Sequence, residues 1–350
     1  MVMFEEDNNS GLAAICHRVL RRYAPRIAPV RIEYLGNRGG FSGAAIWRVA
    51  TEQGDFALRR WPRSQLPPAR IVGLHRLLAH LHREGLSFVS VPVATSVGAT
   101  LLHEVGDDWQ LEPWLPGVAD FHAFPTEERL RACMAALAQW HRSAERFEPD
   151  ATAAPWFHSR MNAASPAVGE RLQILNRINE ELLCQIEKSV NAVLNPQIRE
   201  LTCHLLNSIR HRKQIIANEL RSVCEVRIRL HPCLRDVWHD HLLFAGDQLT
   251  GLIDPSASRT ENVACDLSRL IGSLVGNNRI QWELALNTYQ MHRPLSNGEL
   301  RLIEVLDRSG VVLSGWVWLE WIYLQQRTFA DPIPVIKRLR SILDRMPKSV

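Results

Sequence analysis

The stretch LRDVWHDHLLFAGDQLTGLID, residues 234–254, decides how the rest of this chain is read. It packs Asp236, His239, Asp240 and His241 into six residues, then runs through apolar Leu242–Phe244 to a Gly246–Asp247 turn and on to Asp254. The pattern predicts a tight loop, strands at 241–245 and 249–253, and an acid at the end of the second strand. A hairpin returns to its starting level, so two carboxylates and an imidazole are expected to face one ligand. A metal cage, a catalytic loop and a polar turn all suit that set. Each residue also has a plainer reading: Asp236 as a loop cap, Asp254 as a cap of the following DPSAS turn, and His241 as a hydrogen-bonded loop histidine. His239 and Asp240 read as loop surface.

Around that stretch lies an ordinary globular sequence. Its 350 residues suit two lobes sharing a cleft, and 46% hydrophobic with 22% charged residues give enough apolar side chains for a core. The net charge of +4 comes from Lys and Arg spread along the chain, with no basic face interleaved with aromatics. Nucleic acid is therefore not expected as a partner, whereas an anionic small substrate is compatible. The seven cysteines are scattered without a C-x-x-C pair, which speaks against disulfides and structural zinc and for a reducing cytoplasm. The acidic start MVMFEEDNNSG lacks the apolar core of a signal peptide. The most apolar run, Gly310–Leu324, is short and interrupted by Glu320, so it reads as a buried helix and no membrane span is expected. Oligomeric state is not readable.

Upstream, a short amphipathic helix at 11–24 gives way to strands at 30–35, 44–51 and 55–61. Pro67–Pro68 precedes an amphipathic helix at 71–85, and strands at 99–105 and 109–114 follow. This predicts a five-stranded antiparallel meander with one helix inserted after the third strand. LPG at 115–117 marks a boundary, after which the chain reads as mostly helical, with helices at 129–141, 166–190 and 195–222. The RHRK run, 210–213, reads as a solvated helix face. Strand signals return only at 225–230 and in the opening stretch. The aromatic set Trp316, Trp318, Trp321 and Tyr323 suits core packing, with an aromatic wall for a cationic acceptor as the alternative.

The link between the first two strands, GNRGGFSG, holds four glycines in eight residues, 36–43. Glycine lets backbone N–H groups approach phosphate oxygens closely. A Rossmann or Walker loop would lead from a strand into a helix, but this loop joins two strands, the geometry of a kinase lid over nucleotide phosphates. A flexible hairpin without a ligand is the competing reading. The third strand, FALRRW, offers Arg59 and Arg60, which alternation sends to opposite faces of the sheet.

Taken in order, these parts resemble the aminoglycoside phosphotransferase and choline kinase superfamily, the protein-kinase-like small-molecule kinases. Its catalytic loop reads roughly HGDxHxGNxLF, then a Gly-Asp turn, then IDF or IDW. Laid on this sequence without a gap, that pattern implies Asp236 as the base that takes the proton of the attacking hydroxyl. It implies Asp254 as a ligand of Mg²⁺, with His241 in the place of the family's metal-binding Asn. The VACDLSRL segment resembles the family's xxYDLA and puts Asp266 on its Asp, where it braces the catalytic loop. LEPWLPG resembles the inter-lobe hinge, and LAQWH (137–141) the helix that usually ends in Leu-His. The resemblance spans about residue 30 to at least residue 275.

The fold implied is α+β: a nucleotide-binding lobe at 1–115 with a five-stranded antiparallel sheet, and a helical lobe at 116–350 with a helical insertion at about 155–222. ATP is expected under Gly36, Gly39, Gly40, Ser42 and Gly43, with Arg59 on the phosphates and Glu112 and Trp114 near the adenine. The acceptor is expected to be the hydroxyl of an aminoglycoside-, choline- or sugar-like small molecule.

The departures are specific. Leu234 and Arg235 replace the family's His-Gly, Trp238 its second His, His241 its Asn and Pro255 its Phe or Trp. Arg59 stands for the strand lysine, a substitution the family often shows. The helix at 71–85 has no Glu where the ion-pair partner of that cation is expected; Gly73 or Leu74 stands near that place. Imidazole is a poorer match to Mg²⁺ than an amide oxygen. A catalytically impaired nucleotide-binding protein is therefore the second reading. A metal-dependent hydrolase using Asp236, His239, His241 and Asp254 is the third, and it leaves the glycine lid unexplained.

Overall fold

The structure, a computed structural model, describes residues 6–36, 45–61, 66–192, 195–329 and 331–346. In chain order its elements are α1 (Glu6–Leu20), β1 (Pro29–Gly36), β2 (Ala45–Thr51), β3 (Gly54–Arg60), α2 (Pro68–Arg83), β4 (Leu102–Glu104), β5 (Asp107–Pro113) and α3 (Glu127–Ala144). Then come β6 (Arg160–Ala163), α4 (Pro166–Arg177), α5 (Glu180–Ser189), α6 (Pro196–Arg221), β7 (Ile228–Cys233), β8 (Leu242–Ala245), β9 (Gln248–Leu252) and β10 (Arg259–Glu261). Four helices close the chain: α7 (Val263–Val275), α8 (Arg279–His292), α9 (Asn297–Leu319) and α10 (Pro332–Arg345). Residues group into two units: Met1–Ser159 with His239–Thr260, and Arg160–Trp238 with Glu261–Val350.

In the first unit, period-2 alternation gives the sheet two different faces. Trp47 and Val49 of β2, Leu58 of β3 and Trp109 and Leu111 of β5 are buried in one core with Cys16 and Val19 of α1 and Tyr23 just after it. Leu58 sits opposite both Trp47 and Leu111, so its truncation to Ala removes the centre of that layer, at a cost of about 2–5 kcal/mol. The next residues in register, Arg59 opposite Gln110, belong to the other face. The two arginines of β3 do split as alternation requires: Arg60 lies 5.9 Å from the rings of Trp47 and Trp109 and pairs with Asp107 at 3.7 Å.

The five strands are antiparallel but do not form the expected meander. Their order is β1-β2-β3-β5-β4. The fourth strand is three residues long with an exposed His103, which suits an edge, whereas β5 carries the fully buried Trp109 and Leu111 and takes the central place beside β3.

The second unit is mostly helical. Along α6, Ile198, Thr202, Leu205, Ile209, Ile216 and Leu220 form the buried stripe. This helix packs on α9, and α9 packs also on α7 and α10. Gly315 permits the approach of α6 to α9, since a Cβ there would lie 3.1 Å from Leu205 Cδ2. Trp316 and Trp318 are each 5% exposed, so the aromatic run belongs to this core. The helix expected at 166–190 is two helices instead. Asn179 breaks it by capping α5, its Oδ1 accepting from Leu182 N at 2.8 Å. The strand expected at 225–230 lies at 228–233, and β6, unforeseen in the sequence, pairs with it. No helix among the described residues is long and apolar enough to cross a membrane.

Candidate active site

The hairpin of the opening stretch forms as its pattern requires. Gly246, at φ 59°, makes the turn, and Leu242 pairs with Leu252. Ile253 N donates to His241 O at 2.9 Å, closing the open end of the hairpin. Two other segments of the same unit brace it. Leu252 N donates to Phe88 O at 2.8 Å, and Val118 and Phe244 exchange backbone hydrogen bonds of 2.9 and 3.0 Å. Gly117 makes the second contact possible: its φ is +103°, and a Cβ there would lie 2.3 Å from Thr250 Oγ1. The LPG segment is thus a close-packed support of the hairpin.

Beyond this braced hairpin the backbone of Asp254 is left-handed, φ 53° and ψ 56°, and Pro255 opens a single helical turn. Asp tolerates this region better than most residues, yet a non-glycine there carries strain of order 1–3 kcal/mol. Its carboxylate accepts from Arg59 Nη1 at 3.0 Å. Burial by itself would raise the Asp254 pKa, but Arg59 and the neighbouring His241 outweigh it and hold the carboxyl below its usual value.

Arg59 is 8% exposed and has a second carboxylate beside it, Glu112 Oε1, 3.9 Å from Nε. Burial opposes the charge on Arg59, but Asp254 and Glu112 together raise its pKa, so it stays a cation. Glu112 is different: burial pushes it up, and Arg59 does not fully offset that because Asp254 repels it. The Nε atom of Arg59 has no hydrogen-bond partner among the described residues. An orphaned buried guanidinium donor suits a phosphate oxygen, and an ionised carboxylate already balanced by a cation suits a metal ion. His241, 7% exposed, supplies a nitrogen donor that matches a hard cation less well.

Other expected residues fall as follows. Gly36 ends β1 at φ 69°. Gly39, Gly40, Ser42 and Gly43 lie outside the described residues. Trp114 is 37% exposed with the Arg48 guanidinium 4.9 Å above its ring. Glu112, expected near the adenine, turns its carboxylate to Arg59. His239 packs its ring edge-on against His122, with centroids 4.1 Å apart.

Asp236 belongs to the second unit. It follows Arg235, whose φ is 65°. Asp266, fully buried on α7, accepts from Leu234 N at 2.7 Å and from Arg235 N at 2.6 Å, which fixes the backbone leading into Asp236. Burial pushes the Asp266 pKa up to about 7 despite these two bonds. Arg235 is held by Glu170 and lies 3.9 Å from the buried Glu261. The half-exposed Asp236 carboxylate makes an ion pair with Arg269. The sequence reading missed Arg269, although VACDLSRL places it one helical turn after Asp266. In sum, the first unit gathers Arg59, Glu112, His241 and Asp254, and the second gathers Asp236, Arg269 and Asp266.

Known proteins bear on this arrangement. The model of the phosphotransferase enzyme family matches residues 33–295. A homoserine kinase from Agrobacterium fabrum (strain C58) is 25% identical over 273 residues, covering 75% of this chain and 74% of its own. Among solved structures, spectinomycin phosphotransferase in complex with ADP and spectinomycin superposes with a TM-score of 0.65 at 13% identity, covering 94% of this chain and 96% of its own. Amicoumacin kinase in complex with AMP-PNP and Ca²⁺ gives 0.62 at 14% identity, covering 97% and 93%. The α+β fold with its antiparallel five-stranded sheet is the one these structures share. With the family model matched over most of its length, the chain belongs to the phosphotransferase enzyme family.

Proposed function

We propose that this protein is an ATP-dependent kinase of a small hydroxylated molecule, with residues 1–115 as the nucleotide lobe and 116–350 as the helical lobe. The observation that carries the reading is Arg59: a buried cation, bonded to an ionised Asp254, whose buried Nε has no hydrogen-bond partner among the described residues. Its Nε and the Gly36–Gly43 loop would hold the phosphates, and Asp254 with His241 would hold Mg²⁺. Bound Mg-ATP supplies the phosphoryl group and neutralises the charge that develops on it. Asp236 takes the proton of the acceptor hydroxyl. Arg269 fixes the carboxylate of Asp236, and Asp266 fixes its backbone.

The nucleotide and divalent cation named for the structural neighbours support ATP and a metal ion here. The relatives named for homoserine, spectinomycin and aminopropanol point to amino alcohols and aminocyclitols as first acceptors to try. The test is ADP release over such a panel, followed by mass spectrometry of the product. Phosphorylated product that disappears in Asp236→Asn while AMP-PNP binding survives supports the reading, and undiminished turnover in that variant rejects it.

His241 beside Asp254 favours a second reading, an impaired kinase that binds nucleotide without turnover. Any phosphorylated product rejects it.

A further inference from the structure

Arg59 faces two carboxylates, and on the reading above only one of them is available to keep it. A metal ion held by Asp254 would compete with the guanidinium for that carboxylate's charge. Helix α2 offers no replacement. At Gly73 a Cβ would lie 3.0 Å from Ala153 Cβ and 3.1 Å from Phe157 Cε2, and Leu74 is a buried core residue. The acid comes from the neighbouring strand. Arg59 is opposite Gln110 and Ala57 is opposite Glu112, so Glu112 is the diagonal neighbour of Arg59 on one sheet face.

Glu112 is itself held by a chain of buried polar groups. Gln110 Nε2 donates to Glu112 Oε2 at 3.3 Å. Trp61 can only donate, and its Nε1 gives to Gln110 Oε1 at 2.8 Å, which fixes the orientation of that amide. His75 on α2 lies 2.9 Å from the same oxygen through Nε2, so Nε2 carries the proton and Nδ1 accepts from Thr100 Oγ1, also at 2.9 Å. Trp61 also places its ring 5.4 Å below the Arg59 guanidinium. Thus Thr100, His75 and Gln110 form one donor line that ends on Glu112, and Arg59 lies between Glu112 and Asp254. A buried line of this kind specifies one geometry, because each member left unpaired is costly.

We infer that Glu112 is the positioning residue of Arg59, doing from strand β5 what the missing acid of α2 would do. It retains the guanidinium when Asp254 turns to a metal ion. Without the Glu112 charge, Arg59 has only Asp254 and competes with the metal for it. The inference rests on the assignment of Arg59 and Asp254 proposed above.

The test is a Mg²⁺ titration of AMP-PNP binding, followed by calorimetry, in wild type, Glu112→Gln, Arg59→Met and the double variant. Gln at 112 can still accept from Gln110, so only the charge is removed. The half-saturating Mg²⁺ concentration is expected to rise about tenfold in E112Q, a shift of the size one lost charge contact gives in a partly buried site. The same change made on top of R59M is expected to move it little. An unshifted midpoint in folded E112Q overturns the inference, as does an equal shift in the R59M background, which would make Glu112 act on the metal directly. If E112Q does not fold, Glu112→Asp, with its carboxylate drawn back by one methylene, is expected to raise the midpoint in the same direction, and no shift overturns the inference. A wild type that binds no Mg-AMP-PNP overturns the nucleotide reading itself, and the inference with it.

Discussion

Asp254 in the first unit and Asp266 in the second are both shielded from water, yet their charges differ. Burial pushes both upward. For Asp254 a guanidinium at 3.0 Å and a nearby imidazole reverse that push, and the carboxyl is held below its usual value. For Asp266 burial is opposed by two backbone N–H bonds and by the charge of Arg235, while Asp236 adds to it; burial wins, and the carboxyl rises to about 7. Backbone dipoles satisfy an acid's hydrogen bonds, but an opposite charge bonded directly to the carboxylate does more to keep a buried acid ionised. The ionised acid is suited to a cation, and the partly protonated one to bracing a loop.

The contrast can be broken in four places, taken from the largest expected effect down. A third aspartate, Asp236, is half exposed and paired with Arg269; Asp236→Asn should lower kcat by about 10²–10⁴-fold with little change in the melting temperature, read in the ADP-release assay. Arg59→Met leaves Asp254 and Glu112 buried without their cation and should cost about 3–5 kcal/mol in urea unfolding. Adding Asp254→Asn should recover part of that loss; strict additivity would contradict the shared charge.

The next two effects have opposite signs. Burial holds His75 neutral, its pKa lowered to about 4 from 6.5, so the unfolded chain binds its proton first as pH falls. Stability is present above about 6.5 and is lost toward pH 4, by about 3 kcal/mol in all, and His75→Gln should flatten that slope. Asp266 behaves the other way: its folded pKa lies above its unfolded value, so its contribution is present below about pH 4 and is lost as pH rises to about 7. Asp266→Asn should remove that slope and cost about 1–3 kcal/mol, because one backbone N–H loses its acceptor. Unfolding followed across pH 4–8 in both variants checks the two signs together.

Much of this was legible in the sequence because it depends on local rules. Alternation separated Arg59 from Arg60, and the Gly246–Asp247 turn set the hairpin. The Trp-rich run had the spacing of a core helix, and Trp316 and Trp318 are buried. Other features were hidden for a definite reason. Strand order follows from which strand fills the space beside β3, and the short β4 lost that place to β5. The break at Asn179 turns on one side chain's choice between capping and continuing a helix.

The site divides along the same line. Residue types and their order singled out the side chains proposed to carry chemistry: Asp236, Asp254 and Arg59, with His241 as the odd donor. Only the tertiary structure decided what faces them. Glu112 is 53 residues from Arg59 in sequence, as is plain from their numbers, and it reaches the guanidinium because β3 and β5 are neighbours in register. Gln110 meets Glu112 two residues along the same strand, and His75 of α2 in turn bonds Gln110. Chemical identity is written one residue at a time, but the partner that sets a residue's charge and position is chosen by strand order and register, which depend on the packing of the whole sheet.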